Sequence, residues 1–337
     1  MREPSFWWRK PGPAAALLAP LGALYGAVAA RRMARRGHRA RVPVICIGNL
    51  TLGGSGKTPV AIAVARVLQA AGERPAFLTR GYGGRLAGPV LVSAAHTAAE
   101  VGDEPLLLAR VAPTIVARDR VAGAGAVPAE TTVIVMDDGF QNPSLAKDIV
   151  AVVLEGARGV GNGKVFPAGP LRAPLAAQFA NSPSLVVVGE AGASARDVIA
   201  AAGQRAPPVI TGRLVPDPTA VAALAGRATL AFAGIGDPDK FYATLRAAGI
   251  AATEQQSFAD HHVFTAAEAA ALIARADARG LTLVTTEKDH ARMTGYPALA
   301  ALAARATTLP VTLALDGADN LGTLVAGLLK RRYPERR

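Results

Sequence analysis

Short apolar runs alternate with amphipathic stretches along most of this chain, and the alternation predicts an α/β fold. The runs are rich in Val, Ile and Leu and end at glycine, proline or acidic residues, as buried strands of a parallel sheet do. They occupy residues 44–47, 75–79, 133–135, 149–154 and 185–188. Because strands that alternate with helices form parallel sheets with right-handed crossovers, the first part of the chain is predicted to be a parallel-sheet core.

A second, shorter series of elements follows a rise in proline density over residues 207–219. Its predicted strands cover residues 229–235, 283–286 and 309–315, and its predicted helices cover residues 238–248, residues 266–279 and a last stretch ending at Arg332. This pattern predicts a smaller α/β domain. We place the boundary so that the core spans residues 42–212 and the second domain spans residues 213–337.

An uncharged run over residues 11–30 separates two basic groups near the N-terminus, and the aromatic residues 6–8 precede it. About 20 uncharged residues with aromatic residues at one end and arginines at the other are typical of a membrane-associated helix. We favour an interfacial helix over a full span, because Pro20 and many small residues weaken transfer into lipid. A signal peptide is disfavoured by the basic segment that follows, and a core helix is the remaining alternative. Residues 1–41 are therefore predicted to be a membrane-associating segment.

The net charge of +12 raises nucleic acid as a partner, so its distribution matters. Residues 1–41 hold nine Arg or Lys against one Glu, and residues 330–337 hold five against one. The body between these ends is neutral, which argues against a nucleic-acid groove and favours an anionic membrane surface as partner. A single cysteine, Cys46, excludes an intrachain disulfide and favours a reducing compartment. The sequence indicates no obligate protein partner.

A glycine-rich loop follows the first apolar run and precedes a helix, the order typical of a phosphate-binding loop. Its glycines remove side chains where the backbone curls around an anion, Lys57 supplies positive charge, and Thr58 offers a hydroxyl to magnesium. Thr51 stands where the usual pattern has glycine. The candidate nucleotide-binding residues are Thr51, Leu52, Gly53, Gly54, Ser55, Gly56, Lys57 and Thr58. A nucleoside triphosphate and Mg²⁺ are the ligands that this loop predicts.

Two pairs of neighbouring acidic residues are candidates for metal or proton chemistry. Asp137 and Asp138 end an apolar run, where a phosphate-loop protein has its second magnesium-binding element. Asp103 and Glu104 open a predicted helix, so they could cap it, hold a metal or accept a proton, and spacing alone leaves these alternatives open. The candidate metal ligands are Thr58, Glu104, Asp137 and Asp138.

Two loops at predicted strand ends carry cationic side chains. Arg80 and Tyr82 lie in a glycine-rich loop, and Arg172 lies in a stretch too rich in glycine and proline for regular structure. Arginine in such loops suits an anionic ligand. A solvated surface turn is the alternative for the first loop.

Together these segments resemble the tetraacyldisaccharide 4'-kinases, the bacterial lipid A kinases, over most of the chain. The segments that carry the resemblance are residues 48–59, 79–83, 102–105, 137–141, 167–172, 232–236, 258–262 and 285–289. Thr51 belongs to this family's version of the phosphate loop. The resemblance implies a P-loop NTPase-like α/β core with a parallel sheet and a second, smaller α/β domain that closes over the nucleotide. Together with the N-terminal membrane-associating helix predicted above, these parts make up the expected fold.

The resemblance also implies a reaction: transfer of the γ-phosphoryl group of ATP to the 4'-hydroxyl of a lipid A disaccharide 1-phosphate, at the cytoplasmic face of the bacterial inner membrane. By the same analogy, Asp103 pairs with His261 as the catalytic base. The candidate catalytic residues are Lys57, Asp103 and His261, and the candidate substrate contacts are Arg80, Tyr82, Asn142 and Arg172.

Two positions depart from the family pattern, and two other function classes compete with the kinase. Ala173 and Asn142 stand where the family usually has glutamate and histidine. One competing class is a membrane-associated P-loop ATPase or GTPase switch, which needs no acceptor base. The other is a membrane-tethered binding protein with a degenerate nucleotide site. The presence of Lys57, Thr58 and Asp137 or Asp138 argues against it. Phosphate transfer to a lipid A precursor discriminates among them.

Overall fold

The computed structural model describes residues 3–54, 56–180, 183–203, 209–316 and 322. Its strands are β1 (Val44–Asn49), β2 (Pro75–Thr79), β3 (Val90–Leu91), β4 (Thr114–Val116), β5 (Val133–Asp137), β6 (Ile149–Glu155), β7 (Ser184–Val188), β8 (Ile210–Pro216), β9 (Ala228–Ala233), β10 (Ala251–Ser257), β11 (Thr282–Thr285), β12 (Thr307–Thr308) and β13 (Val311–Leu315).

The α-helices vary from one turn to 21 residues in length. They are α1 (Pro13–Met33), α2 (Lys57–Ala70), α3 (Ala98–Val101), α4 (Asp103–Ala109), α5 (Arg120–Gly125), α6 (Leu175–Phe179), α7 (Ala193–Gly203), α8 (Pro218–Leu224), α9 (Pro238–Ala247), α10 (Ala266–Ala278), α11 (Glu287–Met293) and α12 (Ala300–Arg305). Short 3₁₀ turns cover Ser5–Trp8 and Pro297–Leu299.

Within the described residues, the larger sheet has nine strands in the order β13-β8-β7-β6-β1-β5-β2-β4-β3. Pairing is parallel except at the edge strands β3 and β13, which are antiparallel to their neighbours. The central strands β1, β2 and β5 are buried along their whole length, which explains their unbroken apolar sequences. The five apolar runs predicted as strands are all strands of this sheet, so the predicted parallel core is confirmed.

The order of the central strands determines where a site can form. β1 lies between β5 and β6, and each pair is parallel. The loop after β1 and the acidic residues that end β5 therefore meet at one edge of the sheet. In an open parallel sheet this edge, outside the carboxyl ends of the strands, is where ligands bind.

Strand pairing departs from the predicted domain boundary between residues 212 and 213 in two places. The boundary falls inside β8, which pairs with β7 and so belongs to the larger sheet. β13, expected in the second domain, pairs antiparallel with β8 and returns the chain to the larger sheet. The apolar pattern identifies a strand but cannot tell which sheet it joins. The predicted helix ending at Arg332 lies outside the described residues.

The smaller sheet has four parallel strands among the described residues, in the order β10-β9-β11-β12. β9, β11, α9 and α10 correspond to predicted elements, whereas β10 was not predicted. Its sequence is largely polar because β10 is an edge strand with alternating exposure, so it has no apolar run to reveal it.

We call the part of the protein built around the nine-stranded sheet the larger unit, and the part built around the four-stranded sheet the smaller unit. Helix α1 lies on the surface of the larger unit and packs through a stripe of small residues. Ala15, Gly22 and Gly26 are its buried positions. A Cβ atom on Gly22 would lie 2.8 Å from the carbonyl oxygen of Val165, so only glycine permits this approach. Only 17% of the most apolar window of α1 is buried, which rules out a core helix. By length and composition it could cross a membrane.

Candidate active site

The predicted phosphate loop connects β1 to α2 at the carboxyl edge of the larger sheet. Gly53 and Gly56 have φ of +94° and +81°, left-handed values that favour glycine. A Cβ atom on Gly53 would also lie 1.9 Å from Oε1 of Glu3. Gly56 is the N-cap of α2, so the first turn of that helix, with Lys57 and the buried Thr58, faces the loop. Ser55 lies outside the described residues.

The base of the loop is fixed by its neighbours. The backbone N–H of Leu52 donates to the carbonyl oxygen of Pro170 (2.8 Å), and the Thr51 carbonyl accepts from Nδ2 of Asn49 (2.7 Å) and Nε of Arg172 (2.8 Å). Thr51 and Leu52 therefore anchor the loop, and the glycines that follow them form its open part.

Two side-chain amides, those of the half-buried Gln141 and the buried Gln178, support the same backbone. Nε2 of Gln141 donates to the Asn49 carbonyl at 2.8 Å and to Oε1 of Gln178 at 3.0 Å. Gln178 in turn donates to the carbonyl of Ala173 at 2.8 Å, and Ala173 is fully buried. The sequence pattern did not identify Gln178, because one polar residue in a short helix gives no signal of burial.

Asp137 ends β5 beside this loop, Asp138 follows it directly, and the two carboxylates have different surroundings. Asp137 is fully buried, and neither of its carboxylate oxygens has a hydrogen-bond partner among the described residues. Burial, together with the negative charge of Glu104, raises the pKa of Asp137 to about 7. Asp138 has a φ of +51°, and its Oδ1 lies 3.1 Å from Nη1 of Arg172 and 3.8 Å from Nζ of Lys57. Such strain in a non-glycine residue is typical of functional sites.

The donor set fits a magnesium ion. A buried carboxylate without a hydrogen-bond partner is costly unless a cation compensates it. Asp137 ends β5, and the loop beside it leads into α2, whose first turn carries the Thr58 hydroxyl. Within the described residues no group of three or more His, Cys, Asp or Glu side chains forms a metal site by itself. Mg²⁺ usually takes one or two carboxylates and fills its other positions with water and phosphate oxygens.

Glu104, also predicted as a metal ligand, is paired with Lys288, a residue for which no role was predicted. Its Oε1 lies 2.5 Å from Nζ of Lys288, which projects from the first turn of α11 in the smaller unit. Burial opposes the charge on Lys288, but Glu104 and Asp103 raise its pKa above the ordinary value. Lys288 is therefore a cation beside Glu104 and Asp103.

Asp103 is on α4 beside the larger sheet, and His261 is in the loop between β10 and α10 of the smaller sheet, yet the two side chains lie next to each other. Asp103 is buried in the first turn of α4, and its Oδ2 lies 3.4 Å from Nδ1 of His261. His261 has a φ of +54° and its Nε2 lies 3.8 Å from Asp260. Interaction with the Asp103 carboxylate raises the pKa of His261, although burial opposes it. A neutral His261 that donates from Nδ1 to Asp103 keeps Nε2 as a proton acceptor.

The four candidate substrate residues differ in their positions. Tyr82 is 65% exposed and its ring centroid is 5.1 Å from that of His261, and Arg80 is exposed two residues before it. Arg172 contacts both the phosphate loop and Asp138, as described above. Asn142 uses its side-chain oxygen locally, accepting from the Ser144 N–H at 2.8 Å. Among these four, Tyr82 and Arg172 therefore have contacts with other predicted site residues.

Comparisons with known proteins agree on one family. The family model described as "Tetraacyldisaccharide-1-P 4'-kinase" (LpxK) matches residues 14–330. A tetraacyldisaccharide 4'-kinase of Methylobacterium sp. (strain 4-46) is 58% identical over 98% of this chain and 99% of the relative, and one of Nitrobacter winogradskyi is 52% identical over the same shares. A crystal structure of LpxK from Aquifex aeolicus in complex with ATP has a TM-score of 0.69 and 25% identity, covering 94% of this chain and 99% of that one.

Proposed function

The chain belongs to the tetraacyldisaccharide-1-P 4'-kinase family, and from this premise we propose which of its residues carry out the reaction. The protein is an ATP-dependent kinase that phosphorylates the 4'-hydroxyl of a tetraacyldisaccharide 1-phosphate, a lipid A precursor. The observation that carries the assignment of residues is the Asp103–His261 pair, in which Oδ2 of Asp103 lies 3.4 Å from Nδ1 of His261. A P-loop ATPase or GTPase switch needs no such base.

We assign the nucleotide phosphates to the loop between β1 and α2. The open glycine backbone and the N-terminus of α2 supply N–H groups and a positive dipole end to the phosphates. Lys57 and Arg172, both within 4 Å of Asp138, supply two further positive charges at the same edge. In phosphoryl transfer such positioned charges provide most of the catalysis.

A magnesium ion would be held by Thr58 and Asp137, with Asp138 and Glu104 nearby. When bound, it would neutralise negative charge on the phosphate oxygens. Asp138 is held by Lys57 and Arg172, and Glu104 is held by Lys288, so both carboxylates are fixed next to the proposed ligands.

The acceptor side uses His261 and Asp103. Nε2 of His261 removes the proton from the 4'-hydroxyl as its oxygen forms the new bond to the γ-phosphorus. The bond from that phosphorus to the oxygen bridging the β- and γ-phosphates breaks, and ADP leaves with the electron pair. Asp103 stabilises the imidazolium that forms and keeps the ring in the tautomer that accepts at Nε2.

We expect the purified enzyme to consume ATP only when it is given a tetraacyldisaccharide 1-phosphate, and to leave the phosphate on the 4'-position. Product analysis by mass spectrometry and phosphorus NMR checks both statements. Lipid-independent ATP turnover without a phosphorylated lipid would instead support the switch.

We propose that α1 lies in the interface of the cytoplasmic leaflet of the bacterial inner membrane. Leu17 is 81% exposed, and Leu21, Leu24 and Val28 extend the same outward stripe. The opposite face, which carries Ala15, Gly22 and Gly26, is covered by the rest of the protein. Lipid can therefore reach only one side of the helix. This geometry suits a helix in the plane of the interface. The loop under α1, residues 165–174, also carries Arg172, which brings the lipid surface next to the phosphate site.

Replacing Leu17, Leu21 and Leu24 together with serine should weaken binding to anionic phospholipid vesicles by about 10-fold or more, because the exposed apolar stripe is lost. Vesicle sedimentation measures this. The matched control replaces Leu91 and Val263, which are exposed apolar residues outside α1, with serine and should bind as the wild type does. Equal loss in both variants would contradict an interfacial role of α1. These substitutions also spare the hydrogen bond from Trp7 to Pro167 that deletion of the segment would remove.

Replacing Thr58 with alanine should lower the rate by about 10- to 100-fold at low magnesium, and higher magnesium should restore part of it, because the lost hydroxyl is a proposed ligand. Steady-state rates across a magnesium titration measure the effect. Thr58→Ser keeps the hydroxyl and is the matched control. A defect of constant size at every magnesium concentration would remove Thr58 from the metal shell.

A further inference from the structure

Arg292 is a buried arginine on α11. Its guanidinium group contacts the Asp103 carboxylate and the backbone that supports His261. Its Nε lies 3.2 Å from Oδ2 of Asp103, the same oxygen that faces His261. Its Nη1 donates to the Gly234 carbonyl at 2.7 Å and lies 3.3 Å from the His262 carbonyl. One side chain of the smaller unit therefore joins a carboxylate of the larger unit to the loop that carries His261.

The backbone at His261 depends on the same acceptor. The N–H of His261 donates to the Gly234 carbonyl at 3.0 Å, so this oxygen is shared between His261 and Arg292. The Gly234 N–H in turn donates to Oδ1 of Asp289 at 2.9 Å, and Asp289 lies 3.0 Å from Nη2 of Arg292. The left-handed φ of His261 requires such support from its surroundings.

We propose that Arg292 is the positioning residue that sets the separation and orientation of Asp103 and His261. This inference rests on the proposed function. A planar guanidinium reaches the carboxylate, the Gly234 carbonyl and Asp289 in one fixed geometry, which the single ammonium of lysine cannot do. Nε of Arg292 also donates to the Lys288 carbonyl on its own helix at 3.3 Å. Its other contacts end on Asp103 or on the backbone and carboxylate that hold the His261 loop, so Arg292 acts through the base pair.

The alternative is that the Arg292–Asp103 ion pair only stabilises the fold. The neighbouring Lys288–Glu104 pair helps to separate the two possibilities. Lys288 lies one helical turn before Arg292 and pairs with Glu104, so α11 places two cations against the first turn of α4. Lys288 contacts Glu104, which lies next to the proposed metal ligands. Arg292 contacts Asp103, the partner of the proposed proton acceptor His261. Removing the Arg292 side chain should therefore slow the chemical step and leave nucleotide binding intact.

Replacing Arg292 with glutamine should lower kcat by up to about 100-fold, because a misplacement near 1 Å has an effect of that size. The KM for ATP should stay unchanged. Arg292→Lys should recover part of kcat by keeping the charge beside Asp103. Arg275→Gln removes another ion-paired arginine of the same unit, one that contacts Glu254, and should leave both constants unchanged.

A double replacement separates positioning from structure. In a His261→Ala background, Arg292→Gln should cause no further loss of kcat, because the residue that it positions is gone. A multiplied loss, or a fall in ATP affinity equal to the fall in kcat, would overturn the inference. If the glutamine variant does not fold, as judged by ATP binding, the same comparison is made with Arg292→Lys. Failure of the wild type to phosphorylate the lipid would contradict the proposed function, whereas normal rates in the Arg292 variants would contradict only this inference.

Discussion

Replacing Lys57 with alanine is expected to lower phosphoryl transfer by about 10³-fold or more without unfolding the protein. The ammonium group lies at the start of α2, beside the loop proposed to hold the nucleotide phosphates, where negative charge must be neutralised in a water-poor site. Its one salt bridge in the described part of the chain is to Asp138 at 3.8 Å, and Asp138 keeps Arg172 as a partner. Steady-state kinetics and a thermal melt measure the two quantities separately.

Two matched variants make this prediction specific. Lys57→Met keeps most of the side-chain volume without the charge and should be as inactive as the alanine variant. Lys164→Ala removes an exposed lysine near residues 165–174 and should behave as the wild type does. A Lys57→Ala enzyme with near-normal activity would contradict the assignment of the nucleotide site, and a large fall in melting temperature would assign Lys57 a structural role.

The apolar pattern predicted the strands of the core because burial on both faces leaves an unbroken signature. Val44–Asn49 and Val133–Asp137 are buried throughout and contain few polar residues. Their end residues could be placed from the same pattern, since parallel strands end at one edge of the sheet. The location of the phosphate loop beside Asp137 and Asp138 therefore follows from sequence order and sheet geometry.

Other parts of the structure depend on contacts between residues far apart in the chain, and the sequence gives no local sign of them. Val311–Leu315 joins the larger sheet only because its edge strand, β8, is available. Lys288 and Arg292 are four residues apart on α11. Two cations on a solvated helix face have the same spacing, so the spacing does not reveal that these two contact α4. Asp103 and His261 were paired through the family resemblance, and no periodicity would have brought them together.

Replacing either Asp103 or His261 with alanine should lower kcat by about 10²- to 10⁴-fold, the usual contribution of general acid–base catalysis. His261 must be neutral to accept a proton, and its pKa is raised above 6.5 by Asp103, so wild-type activity should fall as the pH drops through that raised pKa. Asp103→Asn removes the negative charge. It should move this fall in activity to lower pH, as well as lowering the plateau, and a pH–rate profile measures both changes.

The strongest test of the pair is the double replacement of Asp103 and His261. Oδ2 of Asp103 lies 3.4 Å from Nδ1 of His261, so Asp103 should act mainly by orienting the ring and stabilising its charged form. Once one member is missing, the other has nothing to orient or to be oriented by, and the double variant should resemble the slower single variant. The affinity for ATP should hardly change, since neither residue belongs to the phosphate loop. Multiplied losses in kcat, or a loss confined to ATP binding, would show that the two residues act separately.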